Sequence, residues 1–323
     1  MLGIGIIGAG FFGDVHARAI TATPGVRVAA VATETAGQAG IFAATHGGTP
    51  HGDWRRLLDD AAVDAVVIAT PHHLHADMAV EAAAAGKHVL LEKPMARTVL
   101  ECTRIIEAAG SHGVQLMIGH LLHFARPSLA AQAILARGDL GRPVIGSSAL
   151  RKLWMEPNRR DWHLDPASGG GMLMTAGIHA LDLLVWLMDA RVSAISAATG
   201  TYFHDQPADD SVALLVRFVD GRFGQVSSVG YRDGSATAWI SCASAGRSAS
   251  TTTRASLSAM TGAGQKCRTR WSPIGCCARW NASGRRCWLP SKAAPRCPSA
   301  APTAGTSSPA SRPLSPPAGT GAR

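Results

Sequence analysis

The stretch Gly3-Ile4-Gly5-Ile6-Ile7-Gly8-Ala9-Gly10-Phe11-Phe12-Gly13 decides the fold. It reads as a short buried strand running into a GxGxxG turn that opens a helix over residues 12–22. In such a turn the first glycine permits the tight bend. The second lets the backbone approach a pyrophosphate, and the third lets helix pack on strand. Unpaired N–H groups and the dipole at the helix N-terminus favour the phosphates. A glycine-rich turn alone is weak evidence. The strand before it and the helix after it make Gly8, Gly10, Phe11, Phe12 and Gly13 a dinucleotide-binding candidate. An acid at the end of the second strand, roughly 20 residues on, would hold the adenine ribose. Thr33 stands there, followed by Glu34. Thr33 can hydrogen-bond but cannot chelate two hydroxyls. No Arg follows to hold a 2′-phosphate, and Glu34 would repel one. The expected cofactor is NAD or NADP, with NAD favoured; a merely solvated Glu34 is the alternative.

Outward from this motif, apolar strands alternate with helical stretches as far as about Met117. Asp64–Ala69 and His88–Leu91 read as strands, and residues 76–85 and 98–111 as helices. Strands separated by helix-length segments predict a Rossmann-type α/β domain with a doubly wound parallel sheet. From Gly119 the pattern changes. A helix over residues 127–137, a strand over 144–150 and a long apolar helix over Met172–Met188 come first. Four strand-like runs then follow without helices, at residues 192–199, 211–218, 222–231 and 237–243. That order predicts an α+β domain with an open, mainly antiparallel sheet. The expected division is a nucleotide domain over 1–119, an α+β domain over 120–245, to which the family resemblance given below assigns substrate binding and oligomerisation, and an irregular basic tail over 246–323.

The tail accounts for the charge. The chain of 323 residues has a formal net charge of +9, yet its last acidic residue is Asp233. Residues 1–233 carry net −3 and residues 234–323 carry net +12. A basic tail can attract nucleic acid, but no nucleic-acid-binding motif accompanies it. Five of the seven cysteines crowd residues 267–297, at spacings that fit neither a zinc site nor a disulfide framework. Arg, Ala, Pro, Ser, Cys and Trp without any acid is what GC-rich coding DNA yields in the wrong frame. A frameshift near residues 243–247 is therefore expected; a low-complexity disordered tail is the alternative. No apolar run approaches the ~20 residues needed to span a bilayer, and no export leader is read at the N-terminus. The expected protein is cytoplasmic, with neither membrane nor nucleic acid as partner.

Three further stretches carry chemistry. They are Val66-Val67-Ile68-Ala69-Thr70-Pro71-His72-His73-Leu74-His75, Gly86-Lys87-His88-Val89-Leu90-Leu91-Glu92-Lys93-Pro94, and Gly169-Gly170-Gly171-Met172-Leu173-Met174-Thr175-Ala176-Gly177-Ile178-His179. With Gly119-His120 and Gly138-Asp139-Leu140-Gly141-Arg142-Pro143 they resemble the Gfo/Idh/MocA oxidoreductases, from residue 3 to about 243. The resemblance places Lys93, in Glu92-Lys93-Pro94, beside the nicotinamide and the substrate hydroxyl. It puts Pro94 on a bond that is often cis, and Thr70, Pro71, His72 and His75 near the nicotinamide ribose. It also implies a helix bearing Asp and His four residues apart. His179 is present, but Thr175 stands where the Asp is expected. Thr can orient a hydroxyl; it cannot take a proton near neutral pH. His179, with the ordinary histidine pKa near ~6.5, is then the candidate general acid/base, and Lys93 polarises the oxygen or relays its proton. A satisfied core histidine is the alternative.

The expected reaction is hydride transfer between nicotinamide and a secondary alcohol of a sugar, cyclitol or cyclic dihydrodiol. A non-catalytic dinucleotide-binding regulator and a C-terminally damaged, inactive family member are the alternatives. The substrate is a small polyol-like molecule, and the resemblance implies a homo-oligomer if the C-terminal region is intact. His72, His73 and His75 lack the Cys or carboxylate company of a metal site, and no metal is expected. Asp182, one turn beyond His179, is read as a domain-interface residue, with a place in the pocket lining as the alternative. Trp154, Trp162 and Tyr202 are core or rim residues, or else stack on a flat substrate.

Overall fold

The computed structural model describes residues 1–34 and 36–232, and the backbone of strands at 236–243 and 248–254. The expected frameshift and the late cysteines lie outside the described residues.

Two sheets organise them. The first contains β1 (Leu2–Ile7), β2 (Val26–Ala32), β3 (Thr49–His51), β4 (Ala65–Ile68), β5 (His88–Leu91) and β6 (Leu116–Ile118). Their order is β3-β2-β1-β4-β5-β6, and every pair is parallel. Helices α1 (Phe11–Ala22), α2 (Ala36–His46), α3 (Trp54–Leu58), α4 (His75–Ala84) and α5 (Val99–Ser111) make the crossovers. The central strands are apolar without alternation because helices cover both faces: Ile6, Val31, Val66 and Ile68 are fully buried. Local chemistry starts α5. The Thr98 hydroxyl accepts from the Glu101 N–H, and the Glu101 carboxylate accepts from the Thr98 N–H, a reciprocal capping box.

The second sheet holds β7 (Pro143–Leu153), β8 (Val192–Gly200), β9 (Ser211–Phe218), β10 (Phe223–Tyr231), β11 (Ala236–Ala243) and β12 (Ser248–Arg254). They run in the order β12-β11-β7-β10-β9-β8, preceded in the chain by α6 (Arg126–Ala136). Only β7 and β10 pair in parallel; the other neighbours are antiparallel. Helix α7 (Ile178–Met188) lies on one face. Strand β9 alternates accordingly, with Val212, Leu214, Val216 and Phe218 packed in one core with Leu184 and Met188. Gly146 and Gly224 let α7 approach, since a Cβ at either would lie within 3.0 Å of the Leu184 side chain.

One expectation needs correction. β12 lies where no element was expected. Its Ser-Ala-Ser-Thr-Thr-Thr-Arg sequence has no apolar alternation to announce a strand, but β11 offers an edge and β-branched Thr tolerates it. The stretch Pro166–Met188 is long and apolar enough to cross a bilayer by length and composition alone. The loop turns 166–168 and the π-turn below extend α7 into that run. Half of its apolar window is buried inside the protein, as befits a core helix.

Candidate active site

A parallel sheet presents its strand C-termini at one edge, and the loops leaving them form the first wall of a cavity of about 730 Å³. Gly8, Gly10, Phe11 and Phe12 leave β1; Thr33 and Glu34 leave β2; Thr70, Pro71 and His72 leave β4; Glu92 and Lys93 leave β5. The glycines form a cradle. Gly8 has φ +105°, and a Cβ there would fall 2.5 Å from the Ala69 carbonyl oxygen. A Cβ at Gly13 would lie 2.0 Å from the Gly8 oxygen, whereas one at Gly10 would meet nothing within 4 Å. Gly10 therefore leaves open space at the N-terminus of α1, which suits a pyrophosphate.

Gly13 packs helix on strand, as its place in the turn implies. Two expected contacts do not reach the cavity. Pro94, on a cis Lys93–Pro94 bond, is turned away from the cavity wall. His75 is fully buried beneath it, its Nδ1 2.9 Å from the Pro94 carbonyl and its Nε2 3.0 Å from that of Thr70. Both were expected from the family resemblance; in the structure both are buried and outside the lining. His72 does line the cavity, but its Nδ1 is 2.6 Å from the Gly169 carbonyl and its ring stands on the edge of Trp162. Burial pushes its pKa down to about 3, so the ring is neutral. Among the described residues no group of three His, Cys, Asp or Glu is arranged to hold a metal ion.

The opposite wall comes from the second domain. Lys152 at the end of β7, then Glu156, Asn158, Arg159, Arg160, Trp162 and His163 line it, with Thr175 and His179. Apart from Trp162, the β7 loop residues carried no sequence signal, because an irregular loop has no period to read. On the first wall, Gln38, Asp53 and Trp54 near Glu34 were missed for the same reason. Trp154 is fully buried, its indole N–H donating to the Gln206 amide oxygen at 2.6 Å, and Tyr202 is exposed away from the cavity.

Lys93, Thr175 and His179 come together where the walls meet. Lys93 is buried, and its Nζ donates to the Thr175 carbonyl oxygen at 2.8 Å. Burial lowers its pKa from 10.5 to about 8; Glu92 opposes the shift, while Lys152 and Arg159 add to it. Glu92 is itself held by His16 Nε2 at 2.8 Å and by the Lys93 N–H at 3.2 Å. The helix expected over Met172–Met188 is not regular. Leu173–Gly177 forms a π-turn in which the Ile178 N–H reaches the Leu173 carbonyl, a widening that frequently marks functional sites. Thr175 thus meets Lys93 through its backbone rather than through its hydroxyl. Its Oγ1 and the Nδ1 of His179 are buried at the cavity without a hydrogen-bond partner among the described residues.

The expected histidine pKa does not hold. Burial, then the charges of Lys93, His120 and Lys152, push His179 down to about 2. It is neutral across the physiological range, and Lys93 titrates closest to neutrality. Behind His179, the His120 ring packs edge-on at 6.2 Å. Asp182 accepts from or pairs with His123 Nε2 at 2.8 Å and lies 3.4 Å from His120 Nδ1, tying α7 to the turn Leu121–Phe124.

The comparisons with known proteins agree with this geometry. Residues 2–120 match the family model described as oxidoreductase family, NAD-binding Rossmann fold, and residues 128–246 match the GFO/IDH/MocA C-terminal domain. The chain belongs to the Gfo/Idh/MocA family. It is 28% identical over 270 residues to levoglucosan dehydrogenase of Pseudarthrobacter phenanthrenivorans, covering 70% of this chain and 67% of the relative. It is 34% identical over 201 residues to inositol 2-dehydrogenase 2 of Saccharopolyspora erythraea, covering 61% and 57%. The match therefore spans between about half and two thirds of those relatives' length. The solved structure of GenD2 from gentamicin A biosynthesis in complex with NAD superposes with a TM-score of 0.72 at 28% identity, covering 78% of this chain and 72% of that one. The first domain of this Gfo/Idh/MocA chain is an NAD-binding Rossmann fold.

Proposed function

We propose that this chain is an NAD-dependent dehydrogenase or reductase acting on a secondary alcohol of a sugar, cyclitol or cyclic dihydrodiol. One observation carries the reading. Lys93, Thr175 and His179 line the same cavity as the glycine turn, and Lys93 Nζ is fixed on the Thr175 carbonyl.

NAD, when bound, accepts or returns a hydride at the nicotinamide ring. Gly8, Gly10, Phe11 and Phe12 would hold its pyrophosphate, and Thr33 and Glu34 its adenine ribose. Neutral His179 and Thr175 orient the substrate oxygen. Lys93, with a pKa of about 8, exchanges the hydroxyl proton. As the neutral amine it takes the proton during oxidation; as the ammonium it donates one during reduction. The Thr175 carbonyl aims the ammonium.

The test is NADH formation by the full-length chain over a panel of cyclitols, sugars, anhydrosugars and dihydrodiols, with Lys93→Met beside the wild type. Turnover that Lys93→Met abolishes is expected. Turnover that survives the substitution would remove Lys93 from its role. NAD binding with no turnover on any member would favour a non-catalytic regulator.

The same reading assigns residues 1–119 to the cofactor, residues 120–245 to substrate and self-association, and residues 246–323 to an out-of-frame tail. The family match ending at residue 246 and the absence of acid after Asp233 support that division. Sequencing codons 230 to 323 in all three frames decides the tail. A homo-oligomer would form through the outer face of the second sheet, where Leu215 and Phe223 are exposed. Sedimentation of the full chain tests it.

A further inference from the structure

The wall opposite the Rossmann loops is more basic than a neutral polyol requires. Lys152 and Arg159 share one carboxylate: Glu156 lies 2.8 Å from Lys152 Nζ and 3.4 Å from Arg159 Nη2. Arg159 is nearly buried, with its guanidinium held 4.0 Å over the Trp154 ring and its Nε donating to the Trp154 carbonyl at 2.8 Å. It is a positioned charge, not a solvated one. Arg160 follows it on the cavity rim. Asn158, between them, keeps a buried Oδ1 without a partner among the described residues.

On the first wall Lys93 adds a third buried or half-buried cation, and its neighbour Glu92 is already engaged by His16. The cavity lining holds Lys93, Lys152, Arg159 and Arg160 with Glu34, Asp53, Glu92 and Glu156, but Lys152 and Arg159 have only Glu156 between them. Their charge is felt across the cavity. Lys152 depresses Lys93, His163 and His179 alike, and Arg159 depresses Lys93 and His163. A neutral sugar would leave these cations repelling one another in a confined space. An anion seated among them would relieve the repulsion and meet donors that are already fixed.

We propose that the substrate carries a carboxylate beside its polyhydroxylated ring or chain, and that Lys152 and Arg159 bind that carboxylate while Asn158 takes a neighbouring hydroxyl. The proposal rests on the dehydrogenase reading for the role of the cavity, but its test does not depend on turnover. Binding is measured by calorimetry on the full-length chain loaded with NADH, so that the cofactor's own phosphates are already in place. The probes are matched pairs: D-glucuronate against D-glucose, D-galacturonate against D-galactose, and quinate against myo-inositol.

At least one acid should bind about tenfold more tightly than its neutral partner, the size of one charge-assisted contact. Lys152→Met should remove most of that preference. Because Arg159 also supports Trp154, Lys152→Met is the variant that tests charge without disturbing that packing. If no acid binds more tightly than its neutral partner, or if the preference survives Lys152→Met, the carboxylate subsite is wrong. Preference for D-glucose 6-phosphate over D-glucuronate would replace carboxylate by phosphate and likewise overturn the proposal as stated. Turnover of any pair, followed separately as NADH, judges the dehydrogenase reading on its own.

Discussion

The two walls of the cavity are built in different ways. The Rossmann wall is largely backbone: its shape comes from Gly8 and Gly10 and from loops at the ends of four parallel strands. The facing wall is largely side chain: Lys152 at the end of β7 and Glu156, Asn158, Arg159 and Trp162 in the segment after it line the cavity, and a π-turn presents Thr175. A backbone wall suits a ligand that never changes, because main-chain N–H groups cannot be altered by substitution. A side-chain wall can be rewritten one residue at a time. Lys93 stands at the seam, on the first wall by chain position and bonded to the second through the Thr175 carbonyl.

The sharpest way to break this division is at the seam. Lys93→Met should lower kcat by about a thousandfold, the usual scale for losing a proton-transfer group, while leaving the affinity for NAD nearly unchanged in a fluorescence titration. A parallel loss of NAD affinity would place Lys93 on the cofactor wall alone. Gly10→Ala tests the backbone wall. Its new methyl meets no protein atom, so the melting temperature should hold while NAD binding weakens about tenfold, the effect of modest overpacking against a ligand. Gly8→Ala is the contrast. With φ +105° and the Ala69 carbonyl in the way, it should destabilise the fold itself by about 1–3 kcal/mol.

Smaller effects sharpen the second wall. Thr175→Val keeps the carbonyl that holds Lys93 and removes only the hydroxyl. Turnover should fall about fivefold, the worth of one neutral hydrogen bond. A loss as large as that of Lys93→Met would show that the hydroxyl, not the carbonyl, matters. The pH profile distinguishes Lys93 from His179. With His179 neutral above about 2 and Lys93 near 8, alcohol oxidation should rise with pH through about 8, and ketone reduction should fall through the same value. An inflection near the ordinary histidine value would return the proton to His179.

Stability follows the same lysine. Burial disfavours the ammonium, so the folded state binds fewer protons than the unfolded one between about 8 and 10.5. The cost is full below about 8 and fades as pH rises toward 10.5. Lys93→Met should therefore melt slightly higher than wild type at pH 7, and the difference should shrink toward pH 10.

Much of this was legible from residue order. The GxGxxG turn, the unbroken apolar run Ala65–Ile68 and the alternation of strand with helix have periods set by local backbone geometry, so they announce the parallel sheet directly. Glu92-Lys93-Pro94 and His179 stood out through resemblance. β12 did not, since Ser and Thr on an edge strand carry no hydrophobic period.

By itself, then, the amino-acid order determined the two-domain α/β and α+β architecture, the NAD-binding turn and the candidate pair Lys93 and His179. Tertiary structure alone decided which of those residues reach the cavity, since His75 and Pro94 are buried outside its lining. It also lowered the pKa of His179 far below the ordinary value and that of Lys93 to about 8. A pKa depends on burial and on charges distant in the chain, here Lys152 on His179 and Arg159 on Lys93, and no local pattern records those distances. The π-turn and the basic loop beside it arise in the same way, from packing between parts of the chain that sequence spacing does not connect.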